Sequence, residues 1–376
     1  MIRFLTAGES HGPGLVTIVE GLPKGLAVSA DDFAAELERR RRGYGRGGRM
    51  KVERDELEIL GGIRHGRTLG SPVAVLIRNA EWENWSQVMA PEGEPAGKKV
   101  TRPRPGHADL PGMLKYDTDD ARDILERASA RETAARTIAG VLSRKLLAAV
   151  GVDVLSQVVA IGEVSVDLPP PADRDAIEAS PVRCPDREAT GRMMAVIDAA
   201  ADARDTLGGV FEVAAHGVPP GIGSHVQWDR KLDGLLAQAV MSIPSIKGVE
   251  IGPAFRVAAS PGSAAHDEIL PGLERASNRA GGMEGGISNG ETILVRAAMK
   301  PISTLMQPLR TVDVETGEPA QAVRERSDVC AVPAGGVVGE QMVCIVLARE
   351  FQRKFGGDTV DDLVDAVARY RERIGW

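Results

Sequence analysis

The stretch GYGRGG, residues 43 to 48, carries Gly43, Gly45 and Gly48 in the GxGxxG spacing of a dinucleotide-binding loop. That spacing has physical meaning only between a strand and a helix, where a pyrophosphate can approach the helix N-terminus. Here a charged helical pattern ending in ERRRR (38–42) precedes it, and RMKVERDELEIL (49–60) follows. The context excludes a doubly wound nucleotide fold, so the fold class has to be read from the segments around it.

Upstream, SADDFAAELERR (29–40) places Ser29 and Asp32 at capping-box spacing and Phe33 and Leu37 on one helical face. Downstream, β-branched runs predict strands at 15–21, 71–79, 152–167, 210–217, 291–299 and 341–348 (QMVCIVLA). Helical stripes recur between them: Leu232, Leu235, Leu236, Ala239 and Val240, and later Val360, Leu363, Val364, Val367 and Tyr370. Ser129 and Glu132 form a second capping-box pattern, predicting a helix from about Ala130. The amides at its start, with Arg127 and Arg131 beside them, suit an anion or simply cap a helix. The Pro-rich segment 167–190 reads as a surface excursion, and 90–99 as a mobile polar loop. Neither reads as a linker. The expectation is one mixed α/β or α+β domain of layered helices and sheets.

Hydrophobic residues make up 43% of the 376, enough for a large core, but aromatics only 3%, so that core is aliphatic. A net charge of −7 argues against wholesale nucleic-acid binding. Cys184, Cys330 and Cys344 form no CxxC pair, which points to reduced thiols rather than a zinc or disulfide framework. The start MIRFLTAGES lacks a signal-peptide core, and no apolar run approaches the ~20 residues of a membrane span. A cytoplasmic protein without membrane contact is expected.

Against that acidic background, residues 39–54 hold eight basic side chains and one acid, Glu53. Arginine forks and close backbone amides make such a run an anion trap. The same run also fits a solvated helix end, or an RNA patch, although only Tyr44 interleaves it. Two histidines sit in loops: His11 in GESHGPGL (8–15) and His107 in RPRPGHADL (102–110), beside Asp109. Each is either a packed loop residue or a positioned proton donor. GGMEGGISNGE (281–291) and KPIST (300–304) flank a strand and suit a phosphorylated cofactor. RERSDVCAVPAGG (324–336) adds Arg326 and Asp328. The inventory suits polyanion chemistry with proton transfer, the hard step left to a cofactor.

These segments, with RPGHADLPGMLKY, LERASARETAARTIAG, GGISNGETI, MKPIST and RSDVCAVPA, resemble the signature segments of the chorismate synthase family, in the family's order, from Met1 to about Gly357. The resemblance implies an α+β protomer, a single-domain β-α-β sandwich with helices layered between antiparallel sheets. It spans 1–376, with a catalytic core of about 1–357 and a C-terminal helix of about 358–375, and assembles as a homotetramer. It implies conversion of 5-enolpyruvylshikimate 3-phosphate to chorismate and phosphate, the last step of the shikimate pathway. The reaction is a 1,4-anti elimination that requires reduced FMN without net redox change.

By position, His11 matches the histidine that protonates the departing phosphate, and His107 the one that protonates reduced flavin near N1. Asp328 matches the acid that works with flavin N5 to remove the C6 proton. Arg127, Ala128, Ser129, Pro244, Ser245, Gly285, Lys300, Pro301, Ile302, Ser303, Thr304 and Arg326 fall on flavin-binding segments. Arg40 and Arg46 match positions for nicotinamide nucleotide or substrate phosphate, and Arg49, Arg104 and Arg131 join them as anion ligands. Ala128, Val329 and Pro244 depart from the usual family residues, so the resemblance implies a flavin contact at Pro244 through the backbone. Arginines disfavour a charged imidazole nearby, so His11 calls for a carboxylate or the phosphate itself beside it. The alternatives are a flavin-dependent NADPH oxidoreductase and an RNA-binding protein using residues 39–54.

Overall fold

Period-two burial builds the first sheet. It consists of β1 (Arg3–Ala7), β2 (Gly14–Glu20), β3 (Glu56–Gly61) and β6 (Val73–Arg78). Side chains alternate across the pleat, and Leu15, Thr17, Val19, Val73, Val75 and Ile77 are all buried. The strands are antiparallel in the order β1-β2-β6-β3, with a hairpin of β4 (Ile63–Arg64) and β5 (Arg67–Thr68) between the last two in sequence. The computed structural model describes residues 1–47, 56–325 and 327–376.

The second sheet contains β7 (Asp153–Ile161), β8 (Val164–Ser165), β9 (Gly209–His216), β10 (Ile246–Ile251) and β13 (Ile293–Met299). Its order is β10-β13-β9-β7-β8, again antiparallel throughout. Two small hairpins lie apart: β11 (Met283–Glu284) with β12 (Ile287–Ser288), and β14 (Arg310–Val312) with β15 (Pro319–Gln321).

Helices join the sheets. The capping box predicted at Ser29 is formed and opens α1 (Ala30–Arg41), which buries Phe33 and Leu37. Helix α5 (Glu132–Ala149) packs on β1 and β2, α11 (Val332–Phe355) packs on β7 and β9, and the two helices pack on each other. Thr17 ties sheet to helix, its Oγ1 donating to the Ala135 carbonyl at 2.8 Å. Gly140 lets α5 and α11 meet, because a Cβ there would lie 2.3 Å from that of Gln341. The remaining helices are α2 (Trp82–Trp85), α3 (Asp109–Tyr116), α4 (Arg122–Ala128), α6 (Arg174–Ala179), α7 (Arg187–Asp202), α8 (Leu232–Met241), α9 (Ala254–Ala258), α10 (Gly262–Ala265) and α12 (Val360–Ile374). The α8 and α12 stripes are buried as predicted at Leu232, Leu236, Val240, Leu363 and Val367.

Three expectations need correcting. QMVCIVLA is not a strand but the middle of α11. That helix is buried on every side, so it has no polar face to give a 3.6-residue period, and its β-branched run mimics a strand. By length and composition α11 could also cross a membrane, contrary to the expected absence of such a run, yet 94% of its apolar window is buried inside the fold. Finally, segment 167–190 is more than a surface excursion: it forms α6 and buries Ile177, Val182, Arg183 and Cys184.

Arg183 reaches a fully buried carboxylate, Glu340 of α11. Glu340 accepts hydrogen bonds from Arg39 (2.9 and 3.0 Å), Arg183 (2.8 Å), Arg144, and the Ser156 amide and hydroxyl (2.9 and 2.8 Å). Burial pushes this carboxyl up, and the three guanidinium charges reverse that and hold it well below the ordinary carboxylate range. The three cysteines are free and buried, with desolvation raising Cys330 to about 11 and Cys344 to about 12.

Candidate active site

Loops and helix ends enclose a cavity of about 430 Å³. Leu125, Ile243, Met299, Ile302, Ala334 and Val338 give it apolar walls. Among the described residues, Arg40, Arg46, Arg104, Arg131 and Lys300 bring five cations to it, against the two carboxylates Glu325 and Asp328. His11 and His107 both line it.

His11 lies in the loop between β1 and β2, which other side chains hold in place. Arg127 donates to the carbonyls of Gly8 (3.0 Å) and Thr6 (3.1 Å), and the Asn79 amide donates to those of Glu9 (3.1 Å) and Gly12 (2.7 Å). The His11 amide donates to Glu126 Oε2 at 2.9 Å, and its ring Nδ1 lies 3.0 and 2.9 Å from the two carboxylate oxygens. A carboxylate only accepts, so Nδ1 carries the proton and Nε2 is the ring nitrogen left to the cavity. Glu126 is 2% exposed. Burial raises its carboxyl, and the bonds from His11 and the charge of Arg122 bring it below its ordinary value. This is the carboxylate that the arginine-rich surroundings called for.

The predicted capping box at Ser129 does not form. Ser129 instead ends α4, its hydroxyl donating to Ser10 Oγ at 3.2 Å, while Glu132 pairs with Arg136 at 2.9 Å. Helix α5 therefore starts at Glu132, two residues late, with the Ser129 hydroxyl accepting from the Arg131 amide at 3.3 Å in place of the Glu132 amide. Arg131, just before it, donates to Asn79 Oδ1 (3.2 and 3.1 Å), so Asn79 joins the His11 loop to a cavity cation.

Across the cavity, His107 precedes α3. Its Nδ1 lies 2.5 Å from Asp109 Oδ1, and Asp109 is fully buried. Arg104 spans the same carboxylate with Nε to Oδ2 at 2.9 Å and a terminal nitrogen to Oδ1 at 3.1 Å. Burial raises Asp109, and His107 and Arg104 overcome it and hold the acid far below its usual range. Arg104 also donates to Thr304 Oγ1 at 3.0 Å, so its guanidinium serves Asp109 and the 300–304 loop as much as the cavity.

Asp328 pairs with Arg46 at 2.8 Å and accepts from the Gly47 amide at 2.7 Å. Gly47 is needed there, since a Cβ would stand 2.7 Å from the Ser327 carbonyl. Residues 45–47 of the glycine stretch are thus a strap laid against residues 328–330, while Gly48 lies outside the described residues. Ser245 lines the cavity in a left-handed conformation (φ 70°), its carbonyl accepting from the Lys300 amide at 2.9 Å. That conformation costs a non-glycine residue about 1–3 kcal/mol, and such strain concentrates at functional sites. Lys300 Nζ donates to the Gly106 carbonyl at 2.6 Å, and desolvation with the charge of Lys247 lowers its proton affinity.

Of the residues expected at the site, Ala128, Ser129, Pro244, Ser245, Lys300, Ile302, Ser303 and Thr304 line the cavity with the histidines, Asp328, Arg40, Arg46, Arg104 and Arg131. Arg127, Pro301 and Gly285 do not. Arg127 serves the His11 loop, and Gly285 turns the β11–β12 hairpin. Arg49 and Arg326, with most of the second half of the basic run, lie outside the described residues. Sequence reasoning missed Glu126, Asn79 and Trp85. For Glu126 the available signal was Arg122 four residues before it, the spacing of a helical ion pair.

Among the described residues, an excess of cations and two carboxylate-bound histidines around one cavity have the chemistry to take a polyanion and to move a proton. The profile of the family described as chorismate synthase matches residues 2–351. A chorismate synthase from Salinispora tropica is 57% identical over all of this chain and 99% of its own length, and one from Thermobifida fusca is likewise 57% identical over 100% and 99%. A crystal structure of a chorismate synthase, 41% identical, superposes with a TM-score of 0.80 over 99% of this chain and 98% of its own. The chain belongs to the chorismate synthase family, and its activity is that of a lyase. The reductase and RNA-binding alternatives gain no support.

Proposed function

We propose that the chain eliminates phosphate from 5-enolpyruvylshikimate 3-phosphate in the 1,4-anti sense to give chorismate, with reduced FMN as its cofactor. The observation that carries this reading is the charge imbalance of one cavity, five cations against two carboxylates among the described residues, with two histidines whose Nδ1 atoms meet buried acids. The donor set fits both ligands: arginines and hydroxyls suit phosphate and carboxylate groups, and the apolar walls suit a flat ring.

Arg40, Arg46, Arg49, Arg104 and Arg131 neutralise the anionic groups of the substrate, or of NADPH where it serves as reductant, and Arg104 also holds Asp109 against His107. A phosphate dianion leaves poorly until its charge is neutralised or protonated. His11 delivers that proton from Nε2, a task suited to imidazole at neutral pH. His107 holds a proton for the flavin near N1, and Asp328 removes the C6 proton after parting from Arg46. Arg127, Ala128, Ser129, Pro244, Ser245, Gly285, Lys300–Thr304 and Arg326 are assigned to the flavin segments, Arg127 acting through the loop it braces. Reduced FMN, when bound, supplies electron density to the allylic system, which no side chain can do.

The protomer is proposed to be a single-domain β-α-β sandwich over 1–376, with its catalytic core in about 1–357, cytoplasmic, without nucleic-acid or membrane partners, and assembled as a homotetramer. The cross-strand pair Leu5 and Ile18, exposed on the outer face of the first sheet, supports assembly. An anaerobic assay with chemically reduced FMN tests the reaction, with phosphate and chorismate expected in equal amounts. No product would overturn the reading, and steady NADPH oxidation without the phosphorylated substrate would favour a reductase. His11→Ala is expected to lose ~10²–10⁴-fold in kcat with flavin binding retained.

A further inference from the structure

Four side chains form a closed ring behind the cavity wall. His11 Nδ1 meets Glu126, Glu126 Oε1 accepts from Arg122 at 2.9 Å, the Arg122 guanidinium lies 5.0 Å from the centre of the Trp85 ring, and Trp85 stacks on His11 with ring centroids 4.1 Å apart. Arg122 and Glu126 are one turn apart on α4, and Trp85 ends α2. Among the described residues, the hydrogen bonds to the imidazole and its ring contact come from this ring, yet neither Trp85 nor Arg122 nor Glu126 lines the cavity.

We propose that Glu126 is a positioning residue for the elimination: it fixes His11 as the Nδ1–H form, stabilises the charged imidazolium, and leaves Nε2 as the proton-donating atom, with Trp85 and Arg122 completing the brace. The proposal rests on the reading of His11 as the proton donor to phosphate. A buried carboxylate on the far nitrogen of a histidine sets both its tautomer and its readiness to carry charge. Arg122 tempers this. By occupying one lobe of the carboxylate it reduces the negative charge available to the ring. Among the described residues, the other charged groups are Glu9 on the His11 loop, Arg127 on α4, Arg131 before α5, and the Arg40, Arg46, Arg104, Lys300, His107, Glu325 and Asp328 side chains that line the cavity with His11. Most are cations, which oppose protonation, so Glu126 is the main group favouring it.

The tests are ¹⁵N NMR of the His11 ring, assigned with His11→Gln, and the pH–rate profile of phosphate release under anaerobic conditions with reduced FMN. A proton-donating His11 must be charged, so the rate falls as pH rises. Glu126→Gln removes the charge that favours the imidazolium, and the falling limb should move about one pH unit or more toward acid. Its amide can donate as well as accept, so the ring signals should show a mixture of tautomers. Glu126→Asp should restore the single Nδ1–H form and much of the rate. Arg122→Met should move the limb the other way, toward alkaline pH, a sign that loss of structure does not produce. Identical ring signals in wild type and Glu126→Gln would overturn the proposal. Changed ring signals with an unmoved rate limb would instead overturn His11 as the phosphate's proton donor and leave Glu126's positioning role standing.

Discussion

Glu340 and Glu126 are both helical glutamates, both buried, and both bound by arginine, yet they sit in opposite electrostatic settings. Around Glu340, Arg39, Arg144 and Arg183 face Glu36, Glu178 and Glu340, three charges against three, and the cluster ties α1, α5, α11 and β7 together. Among the described residues that line the cavity beside Glu126 the count is five cations against two acids, and with Asp109 and Glu126 behind the wall the cations are still in excess. A balanced cluster has nothing left for a ligand and serves the fold. An unbalanced one, held on a wall that a ligand can reach, serves binding and proton transfer.

The sharpest way to break this contrast is Glu340→Gln. Buried Arg183 and the partly buried Arg39 and Arg144 would lose their shared partner, and unfolding in urea should show a loss of about 3–5 kcal/mol. Turnover per folded molecule should stay at the wild-type level, whereas a selective loss of turnover would place Glu340 with the site. Arg131→Ala should do the reverse. Loss of a charge-assisted contact worth about 1.5–3 kcal/mol should raise KM for the phosphorylated substrate by about 10- to 100-fold, with the urea midpoint little changed. An unaltered KM would remove Arg131 from the anion-binding set.

The smallest effect concerns acid. Asp109, Glu126 and Glu340 all have folded-state values below those of free carboxylates. Their stabilisation is complete above the unfolded values of about 4 and is lost as pH falls through the lower folded values. Urea midpoints should therefore be flat from about pH 7 to about pH 5 and fall below about pH 4. A fall that begins near neutrality would point to the histidines instead.

Much of this was legible in the sequence, for reasons that can be named. β2, β6, β7, β9 and β13 stood out as β-branched runs, which alternate in burial on β2, β6 and β13 and are buried almost throughout on β7 and β9, and α1, α8 and α12 stood out because half-buried helices carry a stripe. Helix α11 failed the same test because burial on all sides erases the period. The two loop histidines and the basic run were visible as residue types in unusual settings. Their partners were not. Glu126 is 115 residues from His11, and Gly47 is 281 from Asp328. Pairs so distant leave no periodic trace, since only the fold brings them together. Ser129 shows the converse, a local pattern that promised a cap and was overridden when its hydroxyl turned to Ser10.

The central claim is that the unbalanced cavity holds the phosphorylated substrate with its leaving group at His11. A crystal structure of the chain with FMN and 5-enolpyruvylshikimate 3-phosphate tests it most directly. The account predicts the phosphate within hydrogen-bond reach of His11 Nε2 and of at least two of Arg40, Arg46 and Arg131. A phosphate seated at His107 with His11 facing solvent, or a substrate bound outside this cavity, would contradict it.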